Sequence, residues 1–190
     1  MASSNVTWVA APGGPVANGE ERRLKFQQWI VPYLDAAYNL ALWLARESHD
    51  AEDIVQEASM KAFEHLDRFD GREPRAWFFA IVRNEFYSMY RTRSRAALED
   101  IDALPELTSP ERTPEAQVIA AADRDQIWTS LGKLPPEYRE VIVLREFEGF
   151  SYREISEMST VPIGTVMSRL SRARAQLQHD LVKSSAKGGS

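Results

Sequence analysis

The sequence predicts an all-α protein: two small helical domains joined by a flexible acidic linker, the second domain containing a helix-turn-helix. Three observations carry that prediction. Apolar residues recur at helical spacing from Glu21 to Arg95 and again from Glu115 to about Leu181. Between these stretches Pro105, Pro110 and Pro114 stand among acidic residues, as in an extended tether. Strand signals are weak, since the β-branched run from Val141 to Leu144 lies inside a helical context.

A chain of 190 residues holds one ordinary domain or two small ones. With 44% hydrophobic and 27% charged residues it has the composition of a soluble globular protein. Its apolar runs are too short to span a bilayer, and the N-terminus lacks the basic segment and apolar core of a signal peptide. Cysteine is absent, which excludes disulfides and thiolate metal sites. His49, His65 and His179 have no ligand spacing, and no nucleophile–base pair or phosphate loop is visible. A reduced cytoplasmic protein with no catalytic residue, cofactor or metal is therefore expected.

The net charge of −5 argues at first against nucleic acid as a partner. Its distribution reverses that argument. Residues 1–95 carry 12 basic and 13 acidic side chains, and residues 121–190 carry ten and nine. Residues 96–120 carry one and six, so the excess sits in the linker and basic patches can form on either side.

Taken in order, residues 1–20, rich in Ala, Gly, Pro and Ser, read as a flexible tail. Over Asp50–Phe69, Ile54, Val55, Ala58, Ala62 and Leu66 form an apolar side. Glu52, Asp53, Gln56, Glu57, Glu64 and Asp67 form the other, with Met60 and Phe63 among or beside them. Acids near a helix N-terminus are favoured by the dipole and can simply be solvated. A wide face of one sign with apolar residues at hand also suits a basic partner.

The next segment, Pro74–Arg95, opens on a permitted helix-start proline. It carries Trp77, Phe78, Phe79, Phe86, Tyr87 and Tyr90, then Arg91, Arg93 and Arg95. These aromatics cannot share one helix face. Trp77, Phe78 and Ile81 read as core, while Phe86, Tyr87 and Tyr90 are open between core and surface. Exposed rings beside arginines are what single-stranded nucleic acid requires.

In the second domain, Ser151 followed by Glu154 forms a capping box, predicting a helix from Tyr152. Ser159, Thr160 and Pro162 interrupt it after about two turns. In the helix that follows, Val166, Leu170, Ala173 and Leu177 fall on one side. Thr165, Ser168, Arg169, Arg172 and Gln176 fall on the other. This pattern fits a DNA-reading helix-turn-helix and equally a helical hairpin with a solvated basic face. Met167 borders the exposed side, and Arg174 lies nearer the apolar side, where it would snorkel or pair. Lys183–Ser190 read as a frayed tail.

Four fragments, DAEDIVQEASMKAF, PRAWFFAIVRN, LPPEYREVIVLREFEGFSYREISE and VPIGTVMSRLSRARAQL, resemble the extracytoplasmic-function (ECF) subfamily of bacterial RNA polymerase sigma factors, in that family's order and spacing. The resemblance covers about residues 24–182. It implies a region 2 domain at 21–95, an acidic linker at 96–120, a region 4 domain at 121–183 and a tail at 184–190. It further implies that Asp50, Glu52, Asp53, Gln56 and Glu57 bind core RNA polymerase at the β′ clamp helices, with further contacts to the β subunit. Phe69 and Asn84 would capture a flipped base of the minus-ten element, and Arg91, Arg93 and Arg95 would hold its phosphates. Thr165, Ser168, Arg169 and Arg172 would read the minus-thirty-five element as duplex. The linker would thread the polymerase's basic channel, and an anti-sigma factor would be a further partner. Two positions depart from the family pattern: Met167, often basic, and Ser88, often aspartate. Two other readings rival a sigma factor, a stand-alone helix-turn-helix regulator and a helical protein-interaction module.

Overall fold

The computed structural model describes residues 19–99 and 126–187. Residues 1–18 of the expected tail, 100–120 of the expected linker, 121–125 of the expected second domain and the last three residues lie outside them. Among the described residues the architecture is wholly helical. The first group of helices is α1 (Gly19–Trp29), α2 (Leu34–Ala45), α3 (Ser48–His65) and α4 (Pro74–Glu99). The second is α5 (126–132), α6 (Pro136–Ile142), α7 (Tyr152–Ser159) and α8 (Ile163–Lys187).

Local chemistry sets the boundaries. The helix α2 ends where Arg46 takes a left-handed conformation (φ 64°), its N–H bonded back to the Leu42 carbonyl. The Glu47 carboxylate then accepts from the Asp50 N–H at 2.8 Å and starts α3, serving as its N-cap. The turn into α4 passes through Gly71 at φ 79°, a conformation that glycine adopts without Cβ strain. The run Val141–Leu144, β-branched in sequence, is helical: α6 passes into a π-helical turn, Val143–Phe147, with Val141, Val143 and Leu144 buried. Helix α8 continues to Lys187, through most of the expected frayed tail. After Gly164 in its first turn, no proline or glycine interrupts it before Gly188.

The first core packs Leu40, Leu44, Ile54, Ala58 and Ala62 against Phe78, Phe79, Val82 and Phe86. The second packs Leu131, Leu134 and Ile142 against Ile155, Val166, Leu170 and Ala173. The two groups also pack on each other, α2 against α6 and α4 against α7. Phe79 meets Phe150 edge to face at 5.2 Å. Arg75 lies over both rings and donates to the Glu148 carbonyl at 2.9 Å. Trp43 of α2 lies against Trp128 of α5 at 4.3 Å. Gly132 leaves room for the Arg46 guanidinium, which lies where a Cβ at that position would be.

Candidate nucleic-acid interface

At about 100° per residue, Glu52, Gln56, Met60, Asp53, Glu64 and Glu57 fall within one arc of α3. All six are solvent-exposed. Met60, 52% exposed, sits near the middle of that arc, an apolar centre inside an acidic rim. Lys61 at the edge joins Glu57 at 3.4 Å and Glu85 of α4 at 2.7 Å, tying the face to its support.

Asp50 does not share this face. It is 7% exposed and turned inward, where Arg93 of α4 binds both carboxylate oxygens, Nη2 to Oδ1 at 2.6 Å. The carboxylate in turn holds the Arg93 pKa above its ordinary value. Two residues expected on two different surfaces are thus bonded to each other. Sequence spacing could not show this, because the pair is 43 residues apart.

The structure also sorts the aromatic-basic helix. Asn84, Arg91 and Arg95, at i, i+7 and i+11, fall in one exposed stripe along α4, with Ser88 between them. Arg93 projects from the opposite side. Phe86 is buried in the core. Tyr87 is tied up in a hydrogen bond to Glu140 at 2.6 Å, and Tyr90 remains 44% exposed. Burial, and then the adjacent Glu140 charge, push the Tyr87 phenol well above its usual range.

Phe69 follows the short helical turn Leu66–Arg68 and is half-buried. One ring face stacks on Trp77 at 4.3 Å and 11°, while Trp29 meets it edge to face at 5.7 Å. Trp77 lies seven residues before Asn84 on the same side of α4, about 10 Å along the axis. The Phe69 loop and the Asn84 stripe therefore adjoin. Asn84 accepts from Arg83 Nη1 at 3.2 Å, which orients its amide.

In the second domain the capping box forms in full. The Glu154 N–H donates to Ser151 Oγ at 3.2 Å, and the Ser151 N–H donates to Glu154 Oε2 at 2.7 Å. Thr160 closes α7 in the left-handed region (φ 54°), and the Ser156 hydroxyl donates to the Val161 carbonyl at 2.6 Å. The Pro162 carbonyl accepts from Thr165 and Val166 and so opens α8. Ile155, Met158, Val166, Leu170 and Ala173 bury the inner side. Thr165, Ser168, Arg169 and Arg172 share an outer arc of about 100°. Ser168 and Arg172 are exposed, and Thr165 and Arg169 half-exposed. Ser168 Oγ donates back to the Thr165 carbonyl at 3.0 Å, and Arg172 lies 3.4 Å from the Tyr138 hydroxyl. Ile163 and Met167 are exposed along one flank. Arg174 pairs with Glu146, as its nearness to the apolar side suggested.

Sequence reasoning missed Arg139 and Glu140 on α6, adjacent in the chain and both buried. The Arg139 guanidinium uses all five of its N–H groups on backbone carbonyls. Three belong to its own domain, Leu131, Gly132 and Leu134, and two to the last turn of α2, Trp43 and Leu44. Burial, with Arg46 nearby, lowers its pKa to about 10, which leaves it charged at neutral pH. Glu140 is fully buried and accepts from Arg83, Tyr87 and Ser159. The sequence held no sign of this, because Glu137, Arg139 and Glu140 stand close together as on any solvated helix face.

Residues 29–96 match the family described as Sigma-70 region 2, and residues 124–177 match Sigma-70, region 4. The ECF RNA polymerase sigma factor SigE of Mycolicibacterium smegmatis is 33% identical over 176 residues, covering 90% of this chain and 67% of that protein. SigW of Bacillus subtilis, another ECF sigma factor, is 31% identical over 158 residues, covering 78% of this chain and 84% of the relative. Among solved structures, the sigma factor RpoE from Bartonella quintana, crystallised with the anti-sigma factor NepR, aligns with a TM-score of 0.73. It shares 34% identity and covers 83% of this chain and 96% of that one. Both regions occur here in the same order on the same two helical units, so the chain belongs to the ECF family of RNA polymerase sigma factors: it is a transcription initiation factor acting with core polymerase at promoters, not an enzyme.

Proposed function

We propose that the exposed arc of α3 is the docking surface for core polymerase, with Glu52, Asp53, Gln56 and Glu57 meeting basic residues of the β′ clamp helices and Met60 entering an apolar contact between them. Asp50 supports that arc by fastening α3 to α4 rather than by reaching the polymerase. The Phe69 loop and the stripe of Asn84, Arg91 and Arg95 read and hold the melted minus-ten strand, with the exposed Tyr90 ring as a further stacking surface. Thr165, Ser168, Arg169 and Arg172 read the minus-thirty-five duplex. Arginine forks onto guanine edges or holds phosphates, and the hydroxyls bond to base edges or to the backbone.

The domains serving these roles span residues 21–95 and 121–183, with 96–120 as the acidic tether. The protein acts in the cytoplasm, in keeping with the finding that among the described residues no helix is long and apolar enough to cross a membrane. An anti-sigma factor is a further partner, by analogy with the RpoE–NepR complex.

The observation that carries this reading is the co-occurrence of an acidic face, a separate polar-basic stripe and a helix-turn-helix on one small chain. Polymerase holds the two DNA-reading surfaces together, so two modest contacts act as one bivalent contact. Base capture offsets part of the unstacking, about a few kcal/mol per base. The test is run-off transcription with purified core polymerase on a promoter library. Specific transcripts are expected with the protein and not without it. They should vanish with Asp53→Lys, through lost core binding, and with Arg169→Ala, through lost promoter binding while core binding persists. Transcripts indifferent to both substitutions would overturn the assignment of surfaces.

A further inference from the structure

Near its start, the outward side of α8 is small and polar except at two positions. Gly164, Ser168, Ser171 and Arg172 are exposed there, with Thr165 half-exposed. Among them stand Ile163 and Met167, one turn apart, the latter 53% exposed. Val166, Leu170 and Ala173 already fill the inner side of the helix, so Met167 has no place in the core. A side chain on a helix leans toward the N-terminus, which carries that of Met167 over Gly164. Nothing lies within 4 Å of where a Cβ at Gly164 would be. The thioether therefore stands above its surroundings at the N-terminal end of α8, the end whose side chains meet base edges in a helix-turn-helix.

The chemistry open to Met167 is narrow, an argument that rests on the reading that the outer arc of α8 enters the major groove. Base edges there present donors, acceptors and one kind of apolar group, the C5-methyl of thymine. At a position where the family pattern often has a basic residue, a thioether can neither hold a phosphate nor fork onto a guanine. It can cover a methyl, because it is apolar, polarisable and unbranched. In the free molecules Met167 and the methyl both face water; in contact, each removes apolar surface of the other from it. Arg169 and Arg172 act through charge and hydrogen bonds, whereas Met167 adds sequence information without charge.

We propose that Met167 is a specificity-determining residue of the minus-thirty-five contact: it packs on the C5-methyl of one thymine, with the exposed Ile163 flanking it, and selects thymine at that position. An adenine, cytosine or guanine there leaves the thioether facing a polar edge, so discrimination arises without a hydrogen bond from this side chain.

The experiment uses the full chain with core polymerase and the minus-thirty-five element returned by the promoter library. Each thymine of the element, on either strand, is replaced singly by deoxyuridine, which removes the methyl and keeps every hydrogen-bonding group. Run-off transcription in competition with the unmodified promoter reads the effect. With the parent protein, one replacement should weaken the promoter by about fourfold, the equivalent of one buried methyl-sized group. With Met167→Ala, thymine and uracil at that position should perform alike, and base selection there should relax in the library. Met167→Leu, apolar again, should restore the preference. Circular dichroism checks that both variants fold. An element without an A·T pair, uracil without effect at every position, or a preference for thymine that persists in Met167→Ala would each overturn the assignment. Persistence together with a uniform loss of transcription would place Met167 against a protein surface instead. Arg169→Ala separates this from a failure of the surface itself. If that variant loses transcription while every uracil is neutral, the inference about Met167 fails alone; if it transcribes like the parent, the groove reading fails and takes this inference with it.

Discussion

The pairing of Asp50 with Arg93 separates support from contact on α3. Asp50 is nearly buried, whereas the Arg93 side chain is 61% exposed. Solvent therefore screens the pair, and its coupling should be about 0.5–1 kcal/mol rather than the 3–5 kcal/mol of a fully buried pair. Truncating either residue also leaves the other without its partner, so Asp50→Ala and Arg93→Ala should each destabilise by about 1 kcal/mol. For a chain of this size that lowers Tm by about 2–4 °C. The double variant should lose less than the sum of the two, by the coupling itself. Thermal unfolding followed by circular dichroism, with titration of labelled protein against core polymerase, gives both readouts. Asp50→Ala should fall with the destabilised variants, whereas Asp53→Ala should keep its Tm and lose core affinity. If Asp50→Ala and Arg93→Ala unfold like the parent and their effects add, while Asp50→Ala abolishes core binding, then Asp50 is a contact residue and the support argument fails.

Two further outcomes follow from the second domain. Arg139→Met should leave five carbonyls short of donors, and a loss of about 3–5 kcal/mol, seen as a large fall in Tm, is expected; a near-parental Tm would mean that water replaces the guanidinium there. The Glu154 carboxyl is held below its ordinary range by hydrogen bonding to Ser151, its hydroxyl first and its backbone N–H next. A carboxylate whose folded pKa is depressed contributes stability that is complete above its unfolded pKa, about 4.5, and lost as pH falls through the lower folded value. Glu154→Gln should therefore narrow the gap in Tm between pH 7 and acid, and a gap equal to the parent's would show that this capping box contributes nothing to acid sensitivity.

Much of this protein could be read along the chain because the governing interactions are local. Ser151 and Glu154 are three residues apart, so their reciprocal cap, the start of α7 and the break at Thr160 follow from sequence. The apolar repeat of Val166, Leu170 and Ala173 determined which side of α8 is buried, and hence which side Arg172 presents. Helical periodicity likewise separated Ile54 and Ala58 from Glu52 and Glu57. The end of α8 was misjudged because a Ser-, Ala- and Lys-rich stretch has no breaker before Gly188, and helix propagates through such residues.

Only the tertiary structure decided what depends on partners distant in sequence. Asp50 resembled the other acids of its helix until Arg93 closed on it from α4. Phe86, Tyr87 and Tyr90 had one composition and three fates, set by the core, by Glu140 and by solvent. The charges of Arg139 and Glu140 gave no hint of burial, since their compensation comes from α2, 95 residues away for the Leu44 carbonyl, and from α4, 57 residues away for Arg83. Periodicity reports which side of a helix is apolar. Whether a charged side chain can be buried depends on the partner that meets it, and that partner is supplied by the fold.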